Sequence, residues 1–89
     1  MNAKRRKALG AIITKLDALE ILRQEIQEQL EEIMDEEQDA LDNMPESLQE
    51  GERGQQMQEY IDTMDGVNDE LDCMNIDELA DQLREIVEG

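Results

Sequence analysis

Twenty-five carboxylates are the chemical stock of this 89-residue chain, set against eight basic groups and no histidine. Carboxylate pairs are the raw material of acid–base catalysis, and dense ones can hold a divalent cation. Catalysis also needs a carboxyl of displaced pKa in a cleft beside a nucleophile or electrophile. The chain offers no glycine-rich phosphate loop, nucleophile elbow or Cys/His cluster. The lack of histidine removes the commonest general base and the commonest zinc ligand. The run Asp62 to Asp72 fails as a calcium loop, because Gly66 at the sixth position puts Ile61 at the first, where an oxygen ligand is required. Cys73 is the single cysteine, so an internal disulfide is excluded and a reducing cytoplasm is the expected setting. No cation lies close to it in sequence, and an inert thiol is expected. The residues therefore predict no catalytic site, no metal, no cofactor and no enzyme.

What remains is charge, and it is segregated. Residues 1–16 hold five basic groups (Lys4, Arg5, Arg6, Lys7 and Lys15) and no acid, whereas all the acids lie between Asp17 and Glu88 against Arg23, Arg53 and Arg84. Such segregation concerns solubility, choice of partner and association rate. The run Lys4-Arg5-Arg6-Lys7 has no interleaved aromatic, and the rest of the molecule repels phosphate, so direct nucleic-acid binding is not expected. Pairing with the chain's own Asp81, Glu85 and Glu88 is the better reading. The basic head is like a signal peptide only superficially. Acids begin at Asp17 and no uninterrupted apolar run follows, so neither export nor membrane insertion is expected.

The elements that must carry this charge are helical. Val and Thr occur twice each and Tyr60 is the only aromatic, which leaves little to build a sheet. High charge with few aromatics also marks disorder, but periodicity opposes it. Leu9, Ile12, Leu16, Leu19, Ile26, Leu30 and Ile33 recur at three- and four-residue intervals, with Arg23 in the one polar gap. That heptad stripe, widened by Ile13, Leu22 and Met34, predicts one helix over about residues 3–42, roughly 60 Å long. The Asn43-Met44-Pro45 sequence ends it. A loop with a short turn is expected over 43–51, Pro45 opening the turn and Gly51 and Gly54 loosening the chain. Met57, Tyr60, Ile61, Met64, Val67, Leu71 and Met74 then predict a second helix from about 52 to 88. Gly66 within it suggests close packing or a bend.

After Met74 the apolar phase slips. Asn75 with Glu78 has the form of a capping box, and Met74 with Leu79 that of a hydrophobic staple. Either a separate last helix over 76–88 or a kinked continuation satisfies the pattern, with the balance slightly towards the kink. The expected fold is all-α: an elongated antiparallel helical hairpin, one domain over 1–89, its second helix kinked or split near 74–76. A lone hairpin leaves much of its stripe wet, so dimerisation into a four-helix bundle is expected. The methionines on the seams suggest ordinary core filling, with an adaptable groove as the alternative.

No Lys or Arg stands between Arg23 and Arg53, so Glu28, Glu31, Glu32, Asp35, Glu36 and Asp39 wrap the first helix in unrelieved negative charge. The plain reading is a solvated face that keeps a small bundle soluble. The sharper one is mimicry of a nucleic-acid backbone. Duplex DNA carries a charge per about 1.7 Å, and a hairpin of this length carries one per ~2.7 Å, or ~1.4 Å for a side-by-side dimer. On that reading these six acids act as phosphate surrogates, and Pro45, Glu46, Gln49 and Arg53 in the loop supply specificity. The rival is a scaffold or regulatory adaptor acting through an apolar helical surface.

The sixteen residues from Asp42 to Met57 include Asn43-Met44-Pro45-Glu46-Ser47-Leu48-Gln49 and Glu52-Arg53-Gly54. This stretch resembles the loop of a family of short acidic phage and prophage proteins, in which it links two acidic amphipathic helices. Gly51 stands where the family pattern has Ser, and Asn75-Ile76-Asp77-Glu78 is a second departure. The resemblance implies a phage accessory protein in the cytoplasm of a bacterial host. By analogy with acidic counter-defence proteins of anti-CRISPR or anti-restriction type, its expected partner is a basic nucleic-acid-binding host protein, which it would inhibit.

Overall fold

The computed structural model describes residues Met1–Gly89, 88% of them helical and none in strands. Helix α1 spans Ala3–Asp42, α2 Glu46–Gln49, α3 Glu52–Asp72 and α4 Ile76–Glu88. The all-α architecture expected from periodicity is what forms. Asn2 starts α1: its side-chain oxygen accepts from the Arg5 amide at 2.9 Å, satisfying a donor that the helix cannot. At the far end Pro45 stands just ahead of α2, and its carbonyl accepts from Leu48 and Gln49 at 2.9 and 3.0 Å. The Gln49 amide reaches back to the carbonyls of Asp42 and Met44 at 3.3 and 2.8 Å, covering acceptors that α1 leaves open.

The chain packs as two compact units. Unit 1 comprises Met1–Glu25 with Met74–Gly89, and unit 2 comprises Ile26–Cys73. In unit 1 the first part of α1 packs with α4 around buried Ile13, Ile76 and Ala80. In unit 2 the rest of α1 packs with α2 and α3, and Leu41, Gly54 and Ile61 are buried.

Gly54 does not loosen the chain as expected. It lies in the first turn of α3 against the backbone of α2, where a Cβ would stand 2.1 Å from the Gln49 carbonyl oxygen. Only glycine permits that approach. Gly66 is the reverse case. A Cβ there meets nothing within 4 Å and α3 runs through it, so neither close packing nor a bend explains it.

Between α3 and α4 the alternative of a separate last helix holds over a kinked continuation. Cys73 closes α3, Met74 and Asn75 link, and α4 begins at Ile76. The capping box is not made: Asn75 occupies the cap position without a side-chain hydrogen bond. The staple partners Met74 and Leu79 both remain about half exposed. Burial of Ile76 and Ala80 holds this helix start in place of a cap.

The helices also turn a different face inward from the one their apolar stripe suggests. Apart from Gly10 and Gln38, the less exposed positions of α1 are Leu9, Ile13, Leu16, Glu20, Arg23, Gln27, Leu30, Met34, Glu37 and Leu41, while Ile12, Leu19, Ile26 and Ile33 stay 45–52% exposed. The inward set keeps strict three- and four-residue spacing, the a and d positions of a heptad. Its centre is polar. Arg23 Nε donates to Glu20 at 3.0 Å with a second contact from Nη2, and the side chains are only 14% and 16% exposed. Gln27 donates to the Asn68 backbone carbonyl at 3.2 Å. Glu20, Arg23 and Gln27 tolerate the seam because each has a partner there, whereas Asn68 Oδ1 is buried with none.

Candidate functional site

Apart from Arg5 and Arg53, the position just before a, position g, carries half-exposed large apolar residues along α1, α3 and α4. It is filled by Ile12, Leu19, Ile26 and Ile33 on α1, Tyr60 and Val67 on α3, and Leu79 and Ile86 on α4. In an antiparallel pair the g flanks of both helices lie on one side and the e flanks on the other, as the e-position pair Asp17 and Arg84 illustrates. Arg84 Nη2 donates to both Asp17 oxygens at 2.6 Å, and Nη1 donates to Asp81 at 2.8 Å. These carboxylates, Asp17 foremost, push the Arg84 pKa further up. The Lys4 to Lys7 head makes none of the ion pairs expected of it with Asp81, Glu85 and Glu88, and its side chains are exposed. Exposed pairs of long side chains gain too little to be held. Arg84 serves that end instead.

The acids avoid the apolar flank. On α1, α3 and α4 they occupy b, e and f almost throughout, and only Glu36 and Glu70 fall at c, the position beside g. Each unit thus has an acid-poor apolar flank and an acidic back.

The six acids singled out in α1 are all exposed. Their spacing sets Glu28, Glu32, Asp35 and Asp39 on one broad face turned away from the seam. Glu31 lies on the e side, where it accepts weakly from the Asn68 side chain at 3.5 Å, and Glu36 borders the apolar flank. Glu59, Asp62 and Asp69 occupy the equivalent back of α3. In the loop Pro45, Glu46 and Arg53 are exposed, but Gln49 is half buried and its amide is engaged with α1. That anchoring role had no signal in the sequence beyond a glutamine just after a helix end.

Among the titratable groups with displaced pKa, Glu20 is held down at about 2, by hydrogen bonds from Arg23 first and Gln24 second. This suits an ion-paired seam residue and not a general acid. The concavities along α3, of about 360 and 430 Å³, are walled mainly by Gln, Glu and Asp with Arg53 and hold no nucleophile. No group of three or more Cys, Asp or Glu is placed to hold a metal ion. No helix is long and apolar enough to cross a membrane. Comparison with protein-family models, with curated proteins and with solved structures gives no match. The class defined on these grounds is that of an all-α protein whose two units each carry an acidic back and an apolar flank.

Proposed function

We propose that this chain is a non-catalytic binding protein whose unit 2 captures a basic, nucleic-acid-handling protein by standing in for a phosphate backbone, and so inhibits it. The observation that carries this reading is the charge of residues 26–73: seventeen acids against Arg53 alone. Self-repulsion of that size destabilises a compact state, so solubility alone is a weak reason to keep it. Glu28, Glu32, Asp35 and Asp39 are the phosphate surrogates, and Glu46 and Arg53 at the loop are placed to add selectivity. In a bacterial host this is the activity of a counter-defence factor of anti-CRISPR or anti-restriction type.

A tagged pull-down from bacterial lysate, eluted stepwise with salt, tests it. The expected result is a nucleic-acid enzyme released at moderate salt and displaced by added DNA. Glu28→Gln, Glu32→Gln, Asp35→Asn and Asp39→Asn together should weaken its retention at least tenfold. Unchanged retention by that variant would rule out the acidic face as the binding surface. The half-exposed g flank favours a second reading, an adaptor that docks through apolar contact, for which retention would persist at high salt.

A further inference from the structure

We infer that the g flank is the interface with a second copy of this chain, and that the two α1 helices meet across it antiparallel about a twofold axis. The inference needs no outside partner, and its test is separate from that of the acidic-face reading, although both draw on the acids of α1.

The first argument is electrostatic. Two chains of net charge −17 can approach only where acids are scarce. The c and g positions form that flank, while b, e and f would set carboxylate against carboxylate. Face-to-face packing of the g flanks leaves both acidic backs in water.

The second concerns direction. Helix α1 is bipolar: Lys4, Arg5, Arg6, Lys7 and Lys15 crowd its first sixteen residues, and from Glu25 to Asp42 it carries acids without a cation. Parallel contact would stack like charges at both ends. Antiparallel contact lays the basic head of each copy along the acidic end of the other. It also accounts for a head that finds no ion pair within its own chain. With the axis between Leu19 and Ile26, Leu19 faces Ile26 of the second copy and Ile12 faces Ile33. Apolar residues then meet at each contact, as an isologous interface requires.

The third is area. The four α1 side chains Ile12, Leu19, Ile26 and Ile33, each about half exposed, give the contact an apolar centre, and the charged ends of the two helices supply the rest of the ~800 Å² per partner of a stable complex. The small cores of the units leave most of the exposed large apolar side chains on this flank, with Ile21 on the back the main exception.

The test uses the full chain in a Cys73→Ser background. Sedimentation equilibrium should give twice the 10.3 kDa chain mass. Leu19→Glu with Ile26→Glu should return the chain mass at concentrations where the unaltered chain is dimeric. Because that variant could also unfold, Leu19→Cys with Ile26→Cys provides a second arm. Heptad-spaced cysteines on one helix lie about 10 Å apart and cannot bridge within a chain. Oxidation should therefore give a covalent dimer, and Ile12→Cys alone should give none. The chain mass at high concentration, or cross-linking by Ile12→Cys in place of the paired variant, would overturn the inference.

Discussion

In unit 1 seven basic groups stand against eight acidic ones; in unit 2 one stands against seventeen. The same helix serves both, so the contrast comes from what is arranged along it. Unit 1 uses its cations. Arg84 joins α4 to α1 through Asp17, and Arg23 lies in the seam beside Glu20. Unit 2 is held by neutral means: Gly54 against the α2 backbone, Gln49 over the end of α1, and Gln27 bonded to the Asn68 carbonyl. Its acids take little part in holding it. Charge in unit 2 is thus separable from the fold, which is the property expected of a surface kept for a partner.

The largest expected effect falls on the neutral packing of unit 2. Gly54→Ala forces a Cβ into the Gln49 carbonyl, and backbone on both sides leaves nothing flexible to yield. A loss of about 3 kcal/mol in urea unfolding is expected. A loss below about 1 kcal/mol would show that α2 does not pack on α3 as described.

A matched pair of glycines sharpens the comparison. Gly10 in unit 1 and Gly66 in unit 2 both lie in helix interiors with open space where a Cβ would go. Each substitution to Ala should add about 1 kcal/mol, chiefly through backbone entropy. If Gly66→Ala gains much less than Gly10→Ala, the isolated fold itself needs glycine at that position; an equal gain leaves Gly66 without a role in the isolated fold.

The smallest effect concerns pH and belongs to unit 1. The Glu20 carboxyl is held at about 2, below its ordinary value of 4.5. A depressed acid contributes stability that is complete above the unfolded value and is lost as pH falls through the folded one. Glu20→Gln should therefore melt below the unaltered chain at neutral pH, and the gap should close as pH approaches 2. A gap that persists there would mean the glutamine fails by packing and not by charge.

Much of this was legible in the residues. Heptad spacing and Pro45 located α1, and renewed spacing located α3 from Glu52. The phase slip at Met74 marked the break, but the balance lay towards a kinked continuation and not the separate α4 that forms. The choice of inward face was not legible, because apolar residues at d and g allow a helix to turn either way. What decides it are distant partners, such as Asn68 for Gln27, which no local pattern records. Gly54 was misread for a similar reason: a glycine demanded by a neighbouring backbone has the same spelling as one that frees a loop. The acidic face was plain from the start, whereas the acid-poor flank needed the inward positions before it could be drawn.

The polar middle of the seam bears on misfolding. A coil zipped by leucine alone can slide by a heptad with little loss, and small hairpins of that kind drift among alignments. Here Gln27 meets Asn68 in a half-buried layer. A slide of seven residues one way would set polar Asn68 against apolar Met34, and the other way polar Gln27 against apolar Ile61. Both misaligned states set a polar seam side chain against an apolar one, a mismatch this alignment avoids, so the polar layer favours a single way to close even though Asn68 Oδ1 stays without a partner in it.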